Sequence, residues 1–349
     1  MKKRNRELDF IKVIATILLV LHHFQQIMNV RFPYINFFGG RFYIGNLVEM
    51  FFIISGICAC HWIEGINGKS RFKTFYFDRV KRLLPVVCIS IVVDSLLYIY
   101  FLNIYHVTIG THHVNVKNII ISCLGIQAGW GFENPMINNP MWYISVLILC
   151  YIIFYFITKL SNAIKISPYI LYAILIIIGL FILREQLDLP FLNEYTARGY
   201  VSFFEGMILG CILNKKKELI DKISIWAIVP FVIGTVGYMK GFHIYYMLVI
   251  LMWPSLIIFF RNRVFKKFIN GSIWSKMAKV SYDTYVWHCP ILHFVYGIVK
   301  VNNISYCNTI WFTILTVIVI CVLGYISFIF LEKPIQKLIS DYSYKKVKE

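Results

Sequence analysis

The sequence predicts an all-α fold, a polytopic membrane helical bundle of about ten transmembrane helices. Of its 349 residues, 59% are hydrophobic and only 15% are charged, whereas a soluble domain carries roughly 25% charged residues. The mean hydropathy is +0.68. Apolar runs of about 20 residues, long enough to cross a hydrocarbon layer of ~30 Å, recur along the chain. We expect residues 1–340 to form a single transmembrane domain and residues 341–349 a short basic cytoplasmic tail.

The apolar runs define the spans in chain order. The ten predicted spans are 10–29, 44–63, 83–102, 140–158, 168–183, 199–213, 223–238, 244–260, 280–300 and 307–331.

The basic residues fix the predicted orientation of these spans. If the chain begins in the cytoplasm, 27 of its 35 Lys and Arg residues fall in the alternate segments that face inward, as positive-inside topology requires. These segments are 1–9, 64–82, 159–167, 214–222, 261–279 and 332–349. Both termini are therefore predicted to be cytoplasmic. The net charge of +18 reflects the basic residues of the inward-facing segments. Its expected partner is therefore the anionic lipid bilayer and not nucleic acid.

The nine cysteines lie mostly inside spans, with no CxxC pair. They are typical of small residues in a membrane core. No metal site is predicted.

The first span carries ionisable residues along one stripe. On a helix that advances 100° per residue, Lys12 and His23 point in directions about 20° apart, and Asp9 lies about 40° to the other side of His23, while His22 points about 100° aside. His23 lies about 16 Å beyond Lys12 along the axis. Lipid penalises such groups, so the stripe is expected to face the protein interior.

Five ionisable residues from five spans fall within about 6 Å of one depth when residues are counted from the span ends. They are His23, Glu49, Asp94, Glu205 and His293. Each could be a packing residue paired with a neighbour. Five at one level favour a polar chamber past the middle of the membrane.

Arg79 and Arg82 form an RxxR pair at the start of the third span. Spacing of three residues places both guanidiniums on one helix face, as a fork suited to phosphate. The alternative is that they only contribute to the positive-inside bias.

Six blocks in order resemble the membrane-bound acyltransferase 3 family, whose members O-acylate bacterial surface carbohydrates. The blocks are RELDFIKVIATILLVLHH (6–23), VEMFFIISG (48–56), FDRVKRLLP (77–85), NPMWYISVLILCY (139–151), SYDTYVWHCPIL (281–292) and LEKPI (331–335). The family more often has Arg at Lys12 and Asp at Glu49. Many members have Glu at Leu147, and its absence resembles the branch that modifies polysaccharide or its precursors.

The resemblance implies an acyltransferase, in particular an acetyl-CoA-dependent O-acetyltransferase. Acetyl-CoA or another short acyl-CoA would be a co-substrate, with no permanently bound cofactor. The acceptor would be a hydroxyl of a cell-envelope or exported polysaccharide or its precursor. The implied location is the cytoplasmic (inner) membrane of a bacterium, and polysaccharide biosynthesis or export machinery is a further partner.

Acyl transfer to an alcohol needs a base and a site for the donor. His23 is the candidate base because imidazole titrates near neutral pH, and Glu49 is the candidate acid that orients it. An acyl-His intermediate is the alternative. Lys12, Arg79 and Arg82 are the candidate contacts to the phosphates of CoA.

The remaining candidates are assigned to substrate binding: Trp142, Tyr143, Asp94, Glu205, His288 and His293. Trp142 and Tyr143 could instead belong to an interfacial aromatic belt. His288 lies only about 12 Å from the cytoplasmic end of its predicted span, short of the chamber, and a structural hydrogen bond beside Pro290 is the alternative for it.

A transporter or flippase for a lipid-linked saccharide is the competing function, since ten spans with buried acids also suit alternating access. No pair of Gly- or Pro-broken half-helices recurs in the two halves of the sequence, which favours the enzyme.

Overall fold

The computed structural model describes residues 5–33, 35–68, 70–110, 114–242, 244–269 and 271–348. Within those ranges the protein consists of helices and connecting turns, without a β-strand. The α-helices are α1 (Arg6–Met28), α2 (Leu47–Ala59), α3 (Ile63–Asn67), α4 (Phe72–Tyr105), α5 (Val116–Cys123), α6 (Trp142–Ala163), α7 (Pro168–Glu185), α8 (Glu194–Lys215), α9 (Lys217–Ile223), α10 (Ile228–Met239), α11 (Ile244–Tyr246), α12 (Trp253–Phe259), α13 (Arg263–Ile269), α14 (Ser272–Val301), α15 (Ile310–Ser327) and α16 (Lys333–Lys348).

Every predicted span coincides with helix, which confirms the all-α membrane bundle. Seven helical segments of the described chain are long and apolar enough to cross a membrane. An eighth is possible if the bent pair Met247–Phe259 and Arg263–Ile269, which meet at 73°, is one span. The predicted count of ten and the cytoplasmic location of both termini stay predictions.

The two predicted spans outside that set are α8 and α14. Both are long helices, but both carry ionisable residues along their length: Arg198 and Glu205 in α8, Asp283 and His288 in α14. These residues lower the apolarity of each helix. Many of the side chains of α8 and α14 are buried inside protein, which is where ionisable residues of membrane helices are tolerated.

The chain divides into two compact units. Unit 1 comprises Met1–Ala15, Arg41–Thr74 and Leu149–Ala278, and unit 2 comprises Thr16–Gly40, Phe75–Ile148 and Lys279–Glu349. Glu349, the last residue of the predicted basic tail, lies outside the described residues.

Close packing of α2 against α8 forms the centre of unit 1. A Cβ added at Gly56 would collide with the Phe203 carbonyl, and one added at Gly206 would collide with the backbone of Ile53. A Cβ at Gly210 would lie 2.9 Å from the Ile57 Cα. Small residues at these positions let the two backbones approach, as is common between membrane helices.

One end of unit 1 is held together by ion pairs. Lys266 Nζ lies 2.8 Å from Asp221 Oδ2 and 3.9 Å from Glu7 Oε1. These three residues come from three segments (1–9, 214–222 and 261–279) that the charge bias predicts on one side of the membrane. Their contact agrees with that prediction.

In unit 2, the second half of α1 packs against α14 and α15. The buried cluster includes Val20 and Phe24 of α1, Leu292 and Val299 of α14, and Ile320 of α15. Val20 and Phe24 are four residues apart and share one helix face, so the side chains of residues 22 and 23 leave α1 in other directions.

We expect Gly206→Ala to destabilise the protein by about 1–3 kcal/mol, because overpacking forces two backbones apart. The measurement is the thermal unfolding of purified protein in detergent. The matched control is Gly65→Ala, where an added Cβ meets nothing within 4 Å. Equal unfolding temperatures for the two variants would contradict the close contact between α2 and α8.

Candidate active site

Two imidazoles, His23 of α1 and His288 of α14, lie side by side in unit 2. Their ring centroids are 5.1 Å apart. The Nδ1 of His23 lies 2.9 Å from the Oε1 of Gln26, one turn further along α1. Because the amide oxygen can only accept, Nδ1 carries the hydrogen and Nε2 is left as the acceptor of a neutral ring. The His23 side chain is partly exposed, so this nitrogen is open to a ligand.

His288 is oriented in the same way. It is fully buried, and its Nδ1 donates to the backbone carbonyl of Tyr285. Its Nε2 has no hydrogen-bond partner among the described residues. A buried polar atom without a partner costs free energy, so the site has the capacity to take one further hydrogen-bond donor.

The side chains that flank His23 in the sequence hold the loop that follows α1. Gln25 Oε1 accepts hydrogen bonds from the backbone N–H groups of Phe37 and Phe38. His22 Nδ1 donates to the Phe37 carbonyl at 2.8 Å. The turn of α1 that carries His23 is thereby fixed to residues 36–38.

A second polar centre in unit 2 is formed around Asp94 of α4, which is fully buried. Its Oδ1 accepts from His293 Nδ1 at 2.8 Å, and its Oδ2 accepts from the backbone N–H of Asn138 at 2.9 Å. Asn138 has a φ of +42°, and its side-chain amide donates to Ser90 Oγ and to the Val286 carbonyl, both at 2.9 Å. The contact between Asp94 and His293 agrees with the equal depth predicted for them.

In unit 1, Glu49 of α2 pairs with Arg198 of α8. Arg198 Nε lies 2.6 Å from Glu49 Oε1, the carboxylate is fully buried, and the Arg198 side chain is 14% exposed. Glu49 Oε2 has no partner among the described residues, and the same holds for Oε2 of Glu205. The predicted role of Glu49 as the acid that orients His23 stays a prediction, as does the substrate contact of Glu205.

The three predicted phosphate contacts have different surroundings. Arg79 lies partly exposed on α4, donates to the Phe75 carbonyl at 2.9 Å and covers the Phe75 ring at 4.0 Å. Arg82 is exposed one turn later, and Lys12 of unit 1 is partly exposed. Their contacts to CoA stay predictions.

Trp142 and Tyr143 at the start of α6 are both buried within protein. The Tyr143 ring packs edge-on against Tyr285 at 5.8 Å. Burial does not suit a lipid-facing aromatic belt. A role in acceptor binding stays a prediction.

The count from residue 280 placed His288 short of the predicted chamber, whereas its ring lies beside that of His23, the chamber residue of α1. Sequence reasoning also missed Gln26, Asn138 and Arg198. An amphipathic pattern could have singled out Gln26, three residues after His23, but the partners of Asn138 and Arg198 are distant in sequence.

One group of side chains offers donors for a metal. The ligating atoms of His23, His288 and Cys289 lie within 4.8 Å of one another. Two imidazoles and a thiol are common ligands of Zn²⁺. With three protein ligands, the fourth coordination position of the metal would remain open. The sequence predicted no metal site because His23 lies far from His288 and Cys289 in the chain.

The apolar helices and the buried polar centres define a multi-pass membrane protein with a candidate acid–base centre inside its helices. Comparison with known families identifies the class more closely. The profile of the acyltransferase 3 family, described as an acyltransferase domain, matches residues 5–329. The chain belongs to this family.

Curated relatives from three strains of Staphylococcus aureus (NCTC 8325, COL and MRSA252) are each named O-acetyltransferase OatA. Each is 23% identical to this chain over 95% of its length and 57% of the relative. The chain thus spans little more than half the length of these relatives. No solved structure matches it.

We expect Asp94→Asn to lower the stability of the protein by about 1–3 kcal/mol. An amide has only one accepting atom, so either the Asn138 N–H or the His293 N–H loses its partner, or the His293 ring has to change tautomer. The check is thermal unfolding in detergent. Asp78→Asn is the control: that carboxylate pairs with Lys81 on the surface and its side chain is 47% exposed, so its loss costs less than about 1 kcal/mol. Equal losses would contradict the structural role of Asp94.

Proposed function

We propose that this protein is a membrane O-acetyltransferase that moves an acyl group from cytoplasmic acyl-CoA to a hydroxyl of a cell-envelope polysaccharide or its precursor. The observation that carries the proposal is the orientation of His23, whose Nδ1–H is bound by Gln26 and whose Nε2 is free to accept a proton. Family membership and the O-acetyltransferase names of the relatives support the reaction class. We place the protein in the inner membrane of a bacterium.

The reaction follows from this orientation. His23 Nε2 removes the proton from the acceptor hydroxyl while the oxygen attacks the thioester carbonyl. The tetrahedral intermediate then collapses, the carbon–sulfur bond breaks, and the imidazolium returns its proton to the thiolate of CoA. The products are the ester and free CoA, and His23 is again neutral.

Gln26 and His288 have supporting roles in this scheme. Gln26 holds the tautomer of His23, as the acid of a catalytic triad does for its histidine. His288 Nε2 is buried and has no partner among the described residues. In this scheme it accepts a hydrogen bond from a second hydroxyl of the acceptor sugar. That contact would fix the sugar beside the His23 ring, 5.1 Å away.

The donor is held by its phosphates. Arg79 and Arg82 lie three residues apart on α4, which suits a guanidinium fork for phosphate. The pantetheine arm would carry the thioester to His23. In this arrangement the acyl group crosses the membrane, while the sugar remains on the outer side.

We expect His23→Ala to abolish acyl transfer and to leave CoA binding measurable, because the base is lost and the phosphate contacts remain. Transfer is read by mass spectrometry of envelope glycans from cells that carry either gene, and binding is read by calorimetry with purified protein. His61→Ala, a change at an exposed histidine of unit 1, is the control. A His23→Ala enzyme with normal transfer would refute the assignment. If wild-type protein did not bind CoA, the result would instead favour a transporter.

We expect Gln26→Leu to slow transfer about ten-fold, the equivalent of one lost hydrogen bond of about 1.4 kcal/mol. Gln26→Glu keeps an acceptor oxygen and should retain most of the rate. Because Gln26 is exposed, neither change should alter the unfolding temperature or CoA affinity. If both variants were equally slow, Gln26 would not act through the His23 tautomer.

A further inference from the structure

A cavity of about 720 Å³ opens at the end of unit 1 where the three segments 1–9, 214–222 and 261–279 meet. Five basic residues line it: Arg6, Lys217, Arg261, Lys266 and Lys267. None of them belongs to the phosphate contacts predicted from the sequence. Three of them, Arg6, Lys217 and Lys267, are exposed, so a ligand can reach the cavity from solvent.

The carboxylates near the cavity face two of these cations. Asp221 binds Arg261, with Nη2 at 2.9 Å, and Lys266, with Nζ at 2.8 Å. Glu7 lies 3.9 Å from the same Lys266 nitrogen. These two acids are fewer than the five basic side chains of the lining.

Lys217 and Lys267 carry the uncompensated charge. Both are exposed lining residues, and neither forms an ion pair with a described residue. By contrast, Arg261 is buried and held by Asp221. The cavity therefore combines a fixed guanidinium with two ammonium groups that are free to meet an anion.

We propose that this cavity binds a phosphate-bearing ligand. Clustered Lys and Arg side chains are the usual receptors for phosphate, and the side-chain amides of Asn5 and Asn214 in the lining can donate further hydrogen bonds. The volume lies within the ~300–1,000 Å³ of small-molecule sites and exceeds the size of one phosphate ion. A nucleotide or a phospholipid headgroup supplies both the charge and the bulk.

The favoured source is the phosphorylated nucleotide of acyl-CoA, an identification that rests on the proposed donor and not on the contacts proposed for Arg79 and Arg82. All three segments are predicted to be cytoplasmic, the side from which the donor comes. An anionic phospholipid of the inner leaflet presents the same phosphate chemistry to the same surface. The two sources are separated by experiment.

The test compares Lys217→Gln/Lys267→Gln with Lys216→Gln/Lys222→Gln. Lys216 and Lys222 are exposed on the same part of the chain but do not line the cavity, so both double variants lose the same charge. CoA is titrated into purified protein in neutral detergent by calorimetry, at two salt concentrations. Retention of phosphatidylglycerol from mixed micelles is measured by native mass spectrometry. Acyl transfer by His23→Ala is measured separately.

We expect the cavity variant to bind CoA about ten-fold or more weakly than wild type, with a smaller dependence on salt, while the control variant binds normally. Loss of phosphatidylglycerol with unchanged CoA affinity would support the phosphate site with a lipid as its ligand. If the two double variants were alike in both assays, the proposal would be overturned. Should wild-type protein not bind CoA at all, the proposed function fails, and the lipid measurement alone decides the cavity.

Discussion

A carboxylate enclosed by apolar helices is stabilised when both of its oxygens accept hydrogen bonds, and the arrangement of unit 2 depends on how Asp94 achieves this. An unpaired buried charge costs several kcal/mol. His293 satisfies one oxygen and the backbone of Asn138 the other. Asn138 also donates to the Val286 carbonyl on α14. One acid therefore joins α4, α14 and the turn that precedes α6. The same bonds fix the part of α14 that carries His288.

The two units balance their buried charges independently. In unit 1 the acid of α2, Glu49, is neutralised by Arg198 of α8 at 2.6 Å, across the helix pair that glycines bring close. In unit 2 the partner of Asp94 is an imidazole, and the nearby His23 and His288 are oriented by an amide and a carbonyl. Neutral orienting groups leave His23 able to accept a proton, whereas a full ion pair would hold the charge in place.

The sequence predicts the helices well because their signals are local: apolar runs of fixed length and basic residues on alternate loops. The shared depth of Asp94 and His293 could also be predicted, since the helical rise is constant. The contact of His288 with His23 was not predicted, because the count took the span to begin at residue 280 and so placed His288 short of the level of His23. The pair of Glu49 with Arg198 was not predictable. The predicted spans place Arg198 in an outer segment, and its contact with Glu49 follows only from the packing of α8 on α2. The left-handed turn at Asn138, whose N–H binds Asp94, likewise has a partner that is distant in sequence.

The polar character of α8 and α14 has a consequence for biogenesis. A helix that carries ionisable groups partitions less readily into lipid when it leaves the translocon alone. Arg198 finds its counter-charge only on α2, and His293 finds Asp94 only on α4. Both partner helices precede α8 and α14 in the chain, so each partner is already synthesised when the later, polar helix is inserted. The order of the helices therefore suits stepwise insertion, in which an early helix supplies the polar partner of a later one.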